Sequence, residues 1–321
     1  RPLLCGHKAV DMIISASYKT DIPTFYGEWF QNRLAAGYCM MVNPYNRRAY
    51  RISLEPDQVD GFVFWTKNLG PFLDKLTIVS DRGYPFMIEY TVNEYPRSVE
   101  FSVVDSERSV QHIRFIAERY GPRAVVWRYD PILVSSVTPI DFHKSSFEKL
   151  AAALEGATDE VVISFAQIYR KTQRNMTQAA KDAGFTWEDP PDEVKFALSE
   201  DLAKMAATRG MQLTMCSQDQ FLAPGVKPAR CVDAARLSDI AGHSIPAELR
   251  GNRPECGCYA SKDIGEYDTC PHGCVYCYAV QNRDLAKTRF REHDPTSEFL
   301  FPRKQKLLAP ETEPSPQIRL L

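Results

Sequence analysis

Six short apolar runs constrain this chain more than any other feature of its sequence. They span residues 12–17 (Met12-Ile13-Ile14-Ser15-Ala16-Ser17), 61–65, 86–91, 124–127, 161–165 and 211–216. Each is too short for a free-standing helix and nearly continuous in apolar residues, the pattern of a strand buried on both faces. Helical patterns lie between them. Residues 23–36 carry an apolar stripe of Phe25, Trp29, Phe30 and Leu34, with Gly37 as a stop. A short helix is expected near 71–76. Residues 105–120 place Val110, Ile113, Phe115 and Ile116 on a helix that Gly121-Pro122 ends. Residues 141–154 and 192–208 read as two more helices, the second stopped by Gly210. Tyr38 to Val42 and Tyr50 to Leu54 flank Asn43-Pro44-Tyr45-Asn46, which predicts an inserted hairpin. Strands alternating with helices predict an α/β fold with a parallel sheet, a partial or complete (β/α) TIM-type barrel.

Residues 1–216 would then form the barrel body. Residues 217–302 are a cysteine-rich C-terminal part of the same domain, with weak periodicity up to Arg253 and a helix from Tyr278 to about Arg291. Residues 303–321, rich in Pro and charge, read as an extended tail. In such barrels the active site lies where the strands end. The polar residues at those ends are Ser15, Ser17, Lys19, Asp21, Lys67, Asn68, Glu89, Arg128, Asp130, Ser164 and Cys216. A single polar residue after a strand is often only solvated, but a repeated pattern predicts a shared polar mouth.

A formal net charge of -2 gives no global basic footprint for nucleic acid, though a local basic groove is compatible with it. No apolar run is long enough to span a membrane, and residues 1–11 lack the apolar core of a signal peptide. The expectation is a cytoplasmic protein with no membrane partner. In a reducing compartment its nine cysteines read as ligands rather than disulfides.

Three of those cysteines stand in Cys270-Pro271-His272-Gly273-Cys274-Val275-Tyr276-Cys277-Tyr278-Ala279. Thiolates suit iron–sulfur clusters and zinc. Three on one loop can hold three corners of a [4Fe-4S] cube and leave the fourth iron open. The alternative is a zinc-binding protein whose cysteines are structural. Cys256 and Cys258, together with Cys216 and Cys231, supply four further thiols for an auxiliary [4Fe-4S] cluster. Cys216 and Cys231 as small buried apolar residues are the competing reading. Cys5 and Cys39 are assigned to packing. His272 is not required by the three-cysteine pattern, and His293 reads as a turn residue. The basic run from Tyr169 to Asn175 reads as a solvated loop, or as a phosphate contact.

Cys-x-x-x-Cys-x-x-Cys with an aromatic before the last Cys resembles the signature of radical S-adenosylmethionine (radical SAM) enzymes, and CPHGCVYCYA resembles the branch that includes spore photoproduct lyase. The resemblance implies Cys270, Cys274 and Cys277 as ligands of a [4Fe-4S] cluster that binds SAM and cleaves it reductively to a 5′-deoxyadenosyl radical. It places Tyr276 where backbone atoms meet the adenine, and it implies an electron donor such as flavodoxin or ferredoxin. Lys67 and Arg128 are candidates for the SAM carboxylate or an anionic substrate, and Asn68 or Ser164 for the ribose; the alternative is an internal ion-pair network with Asp21, Glu89 and Asp130. Tyr90, Tyr129 and Cys216 are candidates for hydrogen transfer, as are Tyr18 and Tyr169, although lining the barrel is the simpler role for the tyrosines. The substrate is left as a small molecule, a peptide or a nucleic acid, the last as in a lesion-repair lyase. In that superfamily the cysteine loop follows the first barrel strand, whereas here most of the chain precedes it. The barrel is therefore expected to be circularly permuted.

A wider resemblance is carried by Ser-Tyr-Lys-Thr-Asp-Ile-Pro (17–23), Phe-Trp-Thr-Lys-Asn (64–68), Trp-Arg-Tyr-Asp-Pro-Ile (127–132) and the cysteine loop. These are similar to a bacterial family whose domain has no assigned function and whose cysteine motif is C-terminal. Lys19 stands where that family is expected to have Arg, which keeps the charge and loses bidentate carboxylate binding.

Overall fold

The structure, a computed structural model, describes residues 12–43, 46–251 and 255–301. The expected tail at 303–321, Cys5, and Pro44-Tyr45 of the hairpin turn lie outside the described residues. The chain opens with β1 (Met12–Ala16), α1 (Ile22–Phe25) and α2 (Gly27–Ala36), then the hairpin β2 (Tyr38–Val42) and β3 (Ala49–Ser53). Next come β4 (Val59–Thr66), α3 (Leu73–Asp81), β5 (Phe86–Thr91), α4 (Ser106–Tyr120), β6 (Val125–Ile132), β7 (Val134–Ser135) and α5 (Ile140–Leu154). The chain continues through β8 (Glu160–Phe165), α6 (Arg170–Ala183), β9 (Trp187–Glu188), α7 (Asp192–Thr208) and β10 (Gln212–Met215). It ends with β11 (Lys227–Pro228), α8 (Ala234–Ala241), β12 (Ser261–Asp263) and α9 (Arg283–Arg291).

Eight of these strands form one parallel sheet in the order β11-β10-β8-β6-β5-β4-β1-β12. From β1 to β11 each strand is added beside its predecessor in the same direction. Parallel crossovers are right-handed, so an order that never reverses keeps the connecting helices on one face. β12 is last in the sequence but pairs with β1, with Ser15 opposite Asp263. β11 and β12 are the two ends of the order, and no pairing between them occurs among the described residues.

Alternate residues of each strand serve two different layers. Ile14, Phe62, Phe64, Ile88, Tyr90, Trp127 and Tyr129 pack with helical residues such as Trp29, Leu76, Ile113 and Phe147. Ile13, Val63, Met87, Val126 and Val162 face the other way and pack with Val232, Leu237, Ile245 and Cys258 from the later chain. Helix α8 covers the ends where these strands begin. Its Arg236 pairs with Asp159 and Glu160 at 2.8 and 2.6 Å, beside the start of β8. A Cβ on Gly61 would stand 2.9 Å from the Pro85 carbonyl oxygen and 3.3 Å from Leu237, so the start of β4 needs glycine beside the entry to β5.

Several elements differ from expectation. The first helix is two pieces, because Asp21 caps α1 through the Thr24 amide (2.9 Å) and Gly27 restarts the helix after Tyr26. The basic run at 169–175 opens α6 rather than forming a loop; Thr172, Met176 and Ala180 are its buried i, i+4 stripe and Gly184 its left-handed cap. β11 and β12 lack any apolar run. They are strands because of their hydrogen-bonding neighbours, β10 and β1.

Candidate metal centre

The loop from Cys270 to Ala279 leaves the C-terminal end of β12 and lies over the C-terminal ends of β1 and β4. Three anchors hold it there. His272 places Nε2 2.8 Å from Asp21 Oδ2 and Nδ1 3.2 Å from the Ser102 carbonyl. Asp21 is itself fixed by the Thr66 hydroxyl (2.9 Å) and the Lys67 amide (2.8 Å), both at the end of β4. The Tyr276 hydroxyl donates to Glu100, whose Oε1 also accepts from Lys67 Nζ at 2.6 Å. Backbone pairing completes the seat: Val275 N donates to Val99 O at 3.1 Å, and Glu100 bridges Cys274. Gly273 supplies the turn between the first two cysteines with φ 79°, a conformation favouring glycine.

Cys270, Cys274 and Cys277 are free thiols of intermediate exposure. Burial raises the pKa of all three, with Asp21 adding to the effect at Cys270 and Glu100 at Cys274. Lys67 works in the opposite direction at Cys274 and Cys277. The same partners explain Lys67: burial disfavours its charge, but Glu100 and Cys274 hold its pKa above the usual lysine value. These are thiols that become thiolates when a metal replaces the proton. Among the described residues no three His, Cys, Asp or Glu side chains are arranged around a single ion. Ligands of a cubane are spread over separate irons, so a cluster does not need such convergence.

A second polar group fills the same end of the sheet. Arg128 donates to Glu89 (2.7 Å) and through Nε and Nη2 to both oxygens of Asp130 (2.9 and 2.5 Å). Ser164 donates to Asp130 at 3.2 Å, and the Arg128 guanidinium lies 5.0 Å from the centre of the Trp65 ring. Trp65 donates to Ser15 (3.0 Å), which donates to Asp263 (2.9 Å). Asp263 also accepts from Ser17, from the Tyr18 and Gly265 amides, and pairs with Lys19 at 3.4 Å. Asn68 turns its Oδ1 to the Gly70 amide at 3.1 Å.

The shared polar mouth is therefore present, with partners that differ in part from expectation. Arg128 is held in the ion-pair network, and its fork is committed to Asp130. Lys67 pairs with Glu100 rather than Asp21. Glu100 and Asp263 escape a reading of strand ends, because one follows β5 by nine residues and the other belongs to a strand with no apolar signal. Tyr90 and Tyr129 face the helices and not this mouth. Tyr90 bonds the Leu69 amide and His112, and Tyr129 bonds His143. Tyr169 is exposed, and Tyr18 is half-buried near Asp263. Cys39 is buried in the core, as expected. His293 sits in the turn after α9, as expected, with its Nδ1 2.8 Å from the Leu300 carbonyl. A cleft of about 510 Å³ adjoins the mouth at Glu100, lined also by Asn93, Glu94, Tyr95, Arg97 and Ser106.

Cys216, Cys231, Cys256 and Cys258, which lie up to 42 residues apart, are also brought together. Cys231 Sγ is 3.6 Å from Cys216 Sγ. The Cys231 and Cys258 thiols are hydrogen-bonded, as are those of Cys258 and Cys256.

The sequence matches one family across residues 13–279, from the first strand to the last residue of the cysteine loop. That family is described as "Domain of unknown function (DUF1848)". The chain is a member of the DUF1848 family. No protein of curated function matches it. Among solved structures, a D-hydantoinase is similar at 11% identity and a TM-score of 0.30, over 65% of this chain and 42% of that one. A dihydropyrimidinase from Brevibacillus agri NCHU1002 is similar at 13% identity and a TM-score of 0.28, over 65% of this chain and 40% of that one. The DUF1848 chain thus spans less than half of either enzyme, and likeness at this level says nothing about shared chemistry. No helix among the described residues is long and apolar enough to cross a membrane.

Proposed function

We propose that this DUF1848 protein is a radical SAM enzyme built on a permuted, barrel-like (β/α) sheet. One observation carries the reading. The three-cysteine loop follows the C-terminal end of a parallel strand, β12, that lies beside β1. A loop placed late in the sequence thereby occupies the spatial position of one following a first strand. Cys270, Cys274 and Cys277 would hold a [4Fe-4S] cluster, which when bound would supply the electron for reductive cleavage of SAM to methionine and a 5′-deoxyadenosyl radical.

The protein's own residues supply position and exclusion of water. Asp21 and His272 pin the loop to the ends of β1 and β4. Glu100 takes the Tyr276 hydroxyl and the Lys67 ammonium together, so the backbone beside Tyr276 is held in one place for an adenine to meet. Lys67 keeps a positive charge next to Cys274, which favours the thiolate. Asn68, Ser164 and Arg128 are the remaining polar groups at this end, available to a ribose or an anion through contacts beyond those they already make. An electron donor of flavodoxin or ferredoxin type and a cytoplasmic location belong to the same proposal.

The test is anaerobic reconstitution with iron and sulfide, followed by incubation with SAM and dithionite. The expected result is a broad iron–sulfur absorption and release of 5′-deoxyadenosine, both lost in Cys274→Ala. Zinc bound at the loop, or deoxyadenosine formed equally by the variant, would overturn the reading.

A further inference from the structure

The four cysteines outside the loop occupy a particular place in the fold. Cys231 lies three residues beyond β11 and Cys258 three residues before β12, the two end strands of the sheet. Between these ends the chain makes direct contacts: Tyr259 N donates to Val232 O at 3.0 Å, and Val232 N points to Cys258 Sγ at 3.4 Å. Cys216 lies one residue past β10 and reaches the same point through Cys231 at 3.6 Å. Four thiols from three chain segments thus run in a connected series across the seam of the sheet.

We propose that Cys216, Cys231, Cys256 and Cys258 form a second, thiolate-held metal centre that clasps the two edges of the sheet together. Packing explains Cys231 and Cys258, which are buried at 3% and 6% exposure among aliphatic residues. Cys216 and Cys256, half-buried at the two ends of the series, pack only partly against the same cluster. Four soft ligands that do not converge on a single ion select an iron–sulfur cluster. The centre is independent of the loop chemistry proposed above, and it adds to the Tyr259–Val232 contact a second link between the ends of the sheet, where β11 and β12 form no ladder among the described residues.

The experiment compares full-length proteins purified anaerobically from cells grown with iron and zinc. A variant with Cys270, Cys274 and Cys277 all replaced by Ser isolates the seam. It is expected to retain about four irons with sulfide per chain. Adding Cys231→Ser and Cys258→Ser should remove that metal and lower the melting temperature. In the wild-type background the same two changes should leave the loop's metal in place, so failure of the loop reading and of this one are separable. Because Cys231 and Cys258 are buried, Cys256→Ser serves as the milder variant and should also lose metal. Iodoacetamide footprinting of the loop variant gives a second readout: Cys216 and Cys256 should be protected until a chelator is added. Metal content that is zero in the loop variant, or unchanged by the seam substitutions, refutes the clasp; so does free alkylation of Cys216 and Cys256 before chelation.

Discussion

Replacing Glu89 by Gln makes a prediction whose sign depends on pH. Glu89 is 1% exposed and shares one guanidinium with Asp130. Asp130 takes the two-pronged side of Arg128, and Glu89 takes a single bond at 2.7 Å, while its Oε1 is buried with no partner. Burial outweighs the attraction of Arg128 and raises the Glu89 pKa from 4.5 to about 8. A folded-state pKa above the unfolded one means that the folded protein binds the extra proton. The stability from this group is complete below pH 4.5 and is lost as pH rises through about 8. A shift of this size corresponds to roughly 5 kcal/mol at the alkaline end, an order-of-magnitude figure. Gln mimics the protonated acid and does not titrate. Urea unfolding of both proteins from pH 5 to 9 should therefore show near-equal stability at pH 5 and a growing advantage for Glu89→Gln as pH rises. A gap that stays flat, or a Gln variant that loses ground with rising pH, would show that Arg128 needs both carboxylates ionised.

Other parts of the structure make separate predictions. Burial lowers the His143 pKa from 6.5 to about 4, against the pull of the Leu133 and Thr138 carbonyls, so its contribution to stability is full above pH 6.5 and falls as pH drops toward 4; His143→Phe should flatten that slope in acid-unfolding curves. Phe147 is fully buried and stacks on Trp127 with ring centres 4.9 Å apart, so Phe147→Ala should cost about 3–5 kcal/mol in urea unfolding without changing metal content. His272→Ala removes the anchor to Asp21 but no thiol, and should let a chelator strip loop iron with affinity lowered roughly 10–100-fold. An unchanged chelator titration would reduce His272 to a packing residue.

Much of the fold is legible in the sequence because burial on both faces leaves a mark. The runs at 61–65, 86–91 and 161–165 are nearly continuous in apolar residues, and each is part of a strand of the parallel sheet. The hairpin at 38–53 follows from its turn residues. The helix α6 is hidden because its buried stripe is Thr, Met and Ala in a field of charge, so propensity and packing decide it rather than hydrophobic contrast. The strand β12, Ser-Lys-Asp, carries no pattern, and only its hydrogen bonds to β1 make it a strand.

The candidate site divides the same way. Local sequence by itself determined which atoms are present: three thiols at a spacing that one loop can present, and an aromatic between the last two. It also put Arg128 and Asp130 on one face of β6 and Trp127 and Tyr129 on the other, since a period of two residues sends neighbours to opposite faces. Partnership was decided by tertiary structure alone. Glu100 with Lys67, His272 with Asp21, and Asp263 with Ser15 and Ser17 join residues 33 to 251 positions apart. Nothing local encodes such pairs, because they arise where strand ends, loop and seam are folded into contact. The same distance in sequence hid the thiol series from Cys216 to Cys258 until the sheet brought its two edges together.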